Sequence, residues 1–198
     1  MIAVSTVSVL MVSTFVIGSG PISPPPVQVD TACIVQNAGY VNRTSPLDSI
    51  SFQVSGHLVK ICYGRPSTRG RTMIGGSAVP YGTLWRTGAN EPTMIHTTLP
   101  LNIAGLEVPP GIYSLYTVPG KNAWQIVVNR STSQWGRENR YTPEIEAQEI
   151  GRGSVASAQV DDHVETFMIR AESSGNVATV FLEWEHTRVQ IPLSAISM

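Results

Sequence analysis

Arg65, Arg69, Arg71, Arg86, Asn90 and Glu91 all fall in one run of the chain, from Tyr63 to Ile95: YGRPSTRGRTMIGGSAVPYGTLWRTGANEPTMI. A guanidinium presents a rigid fork of donors that grips carboxylates, phosphates or sugar hydroxyls through paired hydrogen bonds. A carboxylate beside it can orient a hydroxyl or accept a proton. The functional expectation is a cleft in which Arg65 and Arg86 hold a polar ligand and Glu91 is the acid/base candidate, with Arg71, Tyr81, Trp85 and Asn90 as further ligand-binding candidates. The same residues suit, more readily, a structural ion pair that pins two loops together. An unpaired Glu91 in an open pocket would speak for an enzyme, and burial of Arg86 against Glu91 for a scaffold.

Other chemistries have less support. Gly70, Gly75 and Gly76 lack the spacing of a phosphate-binding loop, and no helix is predicted behind them to receive a phosphate. The histidines are His57, His96, His163 and His186, with no H-x-H or HExxH pattern and no paired cysteines. His57 and His96 are the weak metal candidates, because neighbouring strands with Glu91 nearby would bring them together; no cofactor is expected. A G-x-S-x-G nucleophile motif is absent, and a single candidate carboxylate is a poor basis for two-carboxylate glycoside chemistry. The four tryptophans, with Tyr81, Tyr113 and Tyr116, offer sugar stacking, yet alternating strands must bury one face, so most belong to the core. Trp135, in the loop QWGREN, is expected to be partly exposed and is carried as a ligand-binding candidate.

The elements that must position these groups read as strands. Val59, Ile61 and Tyr63 alternate with Leu58, Lys60 and Cys62, the period of a half-buried strand, and Pro66 ends it. Thr93 to Thr98, Ile112 to Val118, Trp124 to Asn129, Val164 to Arg170, Val177 to Trp184 and Val189 to Leu193 follow. Turns fall at Ala104-Gly105, Pro119-Gly120 and Glu172 to Asn176. Ile150 to Val155 reads as a weak, glycine-broken edge strand. Arg137 to Gln148 is polar and holds at most a helical turn. Eight or nine short, mostly antiparallel strands without long helical patterns predict an all-β, sandwich-like single domain over 47–194.

The bulk composition agrees. A chain of 198 residues fills one core more comfortably than two. Thirteen basic and fourteen acidic residues leave a net charge of −1, so no global field favours nucleic acid. Residues 1–20 open with MIAVSTVSVLMVSTFVI, an uncharged apolar run expected to be an export signal or short anchor, the one segment through which a membrane would be contacted. Residues 21–46 form a proline-rich linker and arm. Cys33 and Cys62 are the only cysteines, and a disulfide between them and two separate buried thiols fit the sequence equally. Asn42-Arg43-Thr44 and Asn129-Arg130-Ser131 match the glycosylation acceptor pattern.

The central run, followed by AGLEVPPGIYSLYTVPG, WQIVVNR, QWG, VETFMI and LEWEHTRVQIPL, resembles DUF2911, a family of secreted or periplasmic bacterial domains of unknown function. The resemblance spans Leu47 to Leu193, and its most specific part is the YxRPSxxGR segment leading to VPYGxxWRTGANExT. The family's signature arginines correspond to Arg65, Arg71 and Arg86, and its asparagine–glutamate pair to Asn90 and Glu91. Ile74 stands where an aromatic residue is common, and the N-terminus lacks a lipobox. The resemblance implies an all-β fold and a periplasmic, cell-envelope or extracellular location, but no activity. The expected partner is a small polar ligand, a glycan or an envelope protein, bound without catalysis; a hydrolase of anionic or glycosidic substrates and a purely structural domain are the alternatives.

Overall fold

The computed structural model describes Cys33, residues 42–136 and residues 138–196. The expected export segment, and the arm apart from Cys33 and residues 42–46, lie outside the described residues. The rest is an all-β domain of nine antiparallel strands: β1 (Leu47–Val54), β2 (His57–Gly64), β3 (Thr93–Thr97), β4 (Leu101–Ile103), β5 (Leu106–Val108), β6 (Gly111–Val118), β7 (Ala123–Asn129), β8 (Glu149–Ser174) and β9 (Val177–Ala195). They form one sheet in the order β1-β2-β3-β6-β7-β8-β9-β4-β5, folded over into a sandwich. A 3-10 turn (Glu138–Arg140) and the single-turn helix α1 (Pro143–Glu146) interrupt the segment between β7 and β8.

Local chemistry explains the joints. Ser55 and Gly56 both have positive φ, 51° and 76°, as a two-residue turn between right-twisting strands requires. That turn pairs β1 with β2 from Val54↔His57 to Leu47↔Gly64. The strand β1 was not among the sequence expectations, although Ile50, Phe52 and Val54 alternate in it. Ile150–Val155 and Val164–Arg170, expected as separate strands, are parts of the single strand β8, whose first portion pairs with β7 and whose remainder, from Ser157, pairs with β9. Gly153 is glycine there because a Cβ would sit 2.2 Å from the Ala104 carbonyl oxygen, where the β4–β5 turn crosses the strand.

The 26-residue β8 and 19-residue β9 are long enough to serve both layers. Register shifts in β8 between Gln159 and Met168 bend the hairpin, so one sheet turns back over itself. The extension of β2 then meets the bent strand: Thr68 N–H donates to the Glu165 carbonyl (2.9 Å) and Phe167 N–H to that of Pro66 (2.9 Å). Between the layers lie Val59, Ile61, Ile95, Leu115, Ile126, Val128, Ile169, Leu182 and Ile191, all buried. Trp85 sits among them, stacked on Trp184 (centroids 5.7 Å apart, planes 16°) and edge-on to Phe167 and Trp124.

The opposite face of the strand group β2-β3-β6-β7 is also covered. Cys62, Met94, Ser114 and Asn129 form one cross-strand row on it, and none is more than 3% exposed. Cys33 is joined to Cys62 by a disulfide, with Cα atoms 5.7 Å apart. Residues 130–136 and 138–148 cover the β6–β7 end, where the Ser114 hydroxyl donates to the Ser131 carbonyl (2.8 Å).

The disulfide spans 29 residues; in the chain-entropy picture its loss lowers stability by about 3–4 kcal/mol. Denaturant unfolding with and without reductant, and of Cys62→Ser, should show that loss. An unchanged midpoint would remove the arm from the stability of the fold.

Candidate functional site

The run from Arg65 to Pro92 leaves β2 and returns to β3 as a long excursion tied down at intervals. The Glu185 carboxylate accepts the N–H groups of Met73 (3.0 Å) and Ile74 (2.7 Å). Trp85 exchanges two backbone hydrogen bonds with Thr117 of β6, at 2.7 and 2.9 Å. Its indole N–H donates to the Gly88 carbonyl (3.1 Å). Thr87 holds a positive φ of 56°, costly for a β-branched residue. Its carbonyl accepts the Thr93 hydroxyl (2.6 Å), and Thr93 N–H donates to the Arg86 carbonyl (3.0 Å), closing the turn into β3.

This wiring separates the residues expected to form one cleft. Arg86 is paired with Glu138, its Nη1 lying 2.9 Å from both carboxylate oxygens. Glu91 is buried and forked by Arg43, one bond at 2.6 Å and the second from Arg43 Nη2 to Glu91 Oε1. Arg65 lies 3.1 Å from Asp48 and spans toward the Phe167 carbonyl. Arg71 donates to the carbonyls of Thr68 and Ser67. The expected Arg65–Arg86–Glu91 grouping is therefore corrected: each charge has its own partner, two of them from segments where no acid or base was anticipated. Trp85 is a core residue, 4% exposed, and not a stacking surface. Asn90 spends its amide on the Ser45 carbonyl (3.1 Å). Tyr81 is exposed, its ring resting where a Gly75 side chain would be.

The histidine candidates do not meet either. His57 is exposed opposite Val54 at the start of β2, whereas His96 is buried opposite Lys60 and Ile112. Among the described residues no group of three or more histidines, cysteines, aspartates or glutamates could hold a metal ion. Asn129, in one of the two glycosylation patterns, is fully buried and bonded to Tyr141 Oη and the Ile145 carbonyl.

What the structure does assemble is a groove of about 420 Å³ on the covered face, lined by Gln134, Trp135, Arg140 and Thr142. Its floor is polar and rigid. Gln134 Nε2 donates to Tyr116 Oη (3.0 Å) and to the Ser131 carbonyl (3.2 Å), and its Oε1 accepts from the Ser131 hydroxyl (2.7 Å). Burial pushes the Tyr116 phenol up to about 12, only partly opposed by the hydrogen bond from Gln134. Burial and the hydrogen bond to Glu149 also raise Tyr141, whose ring lies edge-on to Tyr116. Above this floor Trp135 is half-buried, and Arg140 is an exposed guanidinium with no carboxylate partner among the described residues.

Arg86 connects this groove to the central run. Gly136 closes against it: a Cβ there would lie 2.1 Å from the Asn90 carbonyl oxygen and 2.7 Å from Arg86 Cδ. The QWG loop thus seats directly on the Arg86–Glu91 turn. Trp135 was anticipated as partly exposed. Arg140, Thr142, Gln134, Glu138 and Arg43 were not singled out, and the available signal was the density of polar residues in 130–148.

Fold and site together define an antiparallel β-sandwich with one sheet face covered by a polar segment bearing an open groove. The chain matches the family described as "Protein of unknown function (DUF2911)" over residues 45–193, and it belongs to that family. Comparison with curated proteins and with solved structures finds no match.

Two outcomes follow. Glu91→Gln removes the buried carboxylate that Arg43 forks and should cost about 3–5 kcal/mol in chemical denaturation; a near-neutral result would mean that the pair is solvent-like. The raised phenols act at alkaline pH. With folded-state values above the usual 10, they contribute stability that is complete below about pH 10 and lost as pH climbs toward 12. Stability measured across pH 9–12 should fall less steeply in Tyr116→Phe than in the unaltered protein.

Proposed function

We propose that the chain is an exported, noncatalytic binding domain whose groove at Trp135 and Arg140 takes a small hydroxyl-rich ligand, with preference for an anionic saccharide. The observation that carries this reading is the pairing of a half-buried indole with an uncompensated guanidinium across a groove of about 420 Å³. An aromatic face stacks on the apolar C–H surface of a sugar ring, while a guanidinium grips hydroxyls or a carboxylate through two parallel donors. The floor is held by bonds among Gln134, Ser131, Ser114 and Tyr116, so little ordering cost falls on binding.

Binding is favoured over catalysis by the commitments of the nearby acids. Glu91 is forked by Arg43 away from solvent, and Glu138 is held by Arg86. Neither is poised to exchange a proton with a ligand in the groove. Export belongs to the same reading, supported by the apolar N-terminal run and by the disulfide, which persists in oxidising compartments.

Tryptophan fluorescence and calorimetry with neutral and uronic-acid-containing oligosaccharides provide the test. Saturable binding should be lost in Trp135→Ala, and Arg140→Ala should weaken the acidic ligand about tenfold, the worth of one charge-assisted hydrogen bond. Arg140 is exposed, so Arg140→Ala should unfold at the parent temperature, while thermal unfolding of Trp135→Ala, which removes a half-buried indole, checks that it is folded before its binding is read. Absence of binding across the panel would leave a structural domain.

A further inference from the structure

Away from the groove, at the bend of the β8–β9 hairpin, two histidines are brought together by a bulge. Gln159 lies opposite Thr187 and Val164 opposite Glu185, so residues 160–163 of β8 face the single residue His186 of β9. Extra residues on one strand re-aim its side chains. Here they set His163 beside His186, with ring centroids 5.2 Å apart and planes inclined at 65°. Both rings are exposed, as are Asp161 and Asp162 in the same bulge.

Three observations point to a cation. The first is the spacing. A nitrogen ligated at ~2.1 Å places its ring centre about 3.2 Å from the metal, so two imidazoles at a tetrahedral angle have centres about 5.2 Å apart. The second is the tautomer. His186 Nδ1 lies 3.2 Å from the Val160 carbonyl oxygen. A carbonyl can only accept, so Nδ1 carries the proton and the neutral ring offers Nε2 as its lone pair. A backbone carbonyl behind a ligating imidazole is the usual arrangement that orients the ring and raises its basicity. The third is the local field. Asp161 and Asp162 stand in the same bulge as His163, while the Glu165 carboxylate is already taken by the Thr68 hydroxyl and Arg69 N–H.

We propose that His163 and His186 form a solvent-facing two-histidine site for an imidazole-preferring divalent transition metal, with copper(II) bound more tightly than nickel(II) or zinc(II). No third histidine, cysteine or carboxylate completes the set among the described residues. Water therefore fills the other positions and the ion stays open to exchange. The preference order follows the general stability series for nitrogen donors. The site shares no residue with the Trp135–Arg140 groove and stands or falls separately from it.

The test uses the mature protein without a polyhistidine tag. Calorimetric titration with copper(II) and zinc(II) should give one site, weakened about tenfold or more in His163→Ala and in His186→Ala, since each removes one of two protein donors. His57→Ala should leave it intact. Electron paramagnetic resonance of the copper-loaded protein should show two imidazole nitrogens, and in the unaltered protein the ring protons of His163 and His186 should broaden together as copper(II) is added. Titrations unchanged by both substitutions, a single-nitrogen spectrum, or broadening of only one ring would each overturn the proposal.

Discussion

The stacking of Trp85 on Trp184 is the contact from which the rest of the site takes its place. Trp85 belongs to an excursion of nearly thirty residues between β2 and β3, a length that costs closure entropy and needs internal anchors. Burying an indole among Trp184, Trp124 and Phe167 supplies one anchor, and the paired backbone bonds to Thr117 fix its direction. The next residue, Arg86, is thereby pointed away from the core toward the covered face, where it meets Glu138. An apolar interaction inside the sandwich thus sets the position of a charge outside it.

That covered face explains the charge pattern. Strands buried on both sides leave few places for a solvated ion, so charges near them must be paired or bonded to carbonyls. Arg43 on Glu91, Arg86 on Glu138 and Arg65 on Asp48 are three such solutions, with decreasing burial. On the far layer Glu183 is held between Arg170 and Arg188, and Arg170 also covers the ring of Phe181. A cluster of arginines in sequence thus became a set of separate staples. Arg140 differs: it shares its 3-10 turn with Glu138, whose carboxylate is taken by Arg86, and is itself exposed with no ion pair among the described residues.

Much of the fold was legible and the site much less so. Alternation marked β2, β6, β7 and both portions of β9, because one face of each meets the core and period two survives. It also marked β3, expected over Thr93 to Thr98, although all five residues of that strand are buried. It could not show that β8 and β9 run on through their bends, since a bulge interrupts the period without ending the strand. The arginine-rich run stands out by composition, but the adjacency of β2 and β3 does not tell which charge pairs with which. Glu91 is partnered from 48 residues away and Arg86 from 52, distances at which a single sequence carries no pairing signal.

The segment 130–148 then has a double role that follows from the physics of a sheet. Cys62, Met94 and Tyr116 on this face favour a cover, and once covered the polar groups of Ser114, Tyr116 and Asn129 need matching donors and acceptors from the covering layer. Gln134, Ser131 and Tyr141 provide them. With these inner bonds in place, the groove opens on the outward side of the layer. Trp135, Arg140 and Thr142 occupy that outward position, on a support already made rigid by the groups beneath it. Changes at Gln134 or Ser131 would reach the buried strand face through Ser114 and Tyr116.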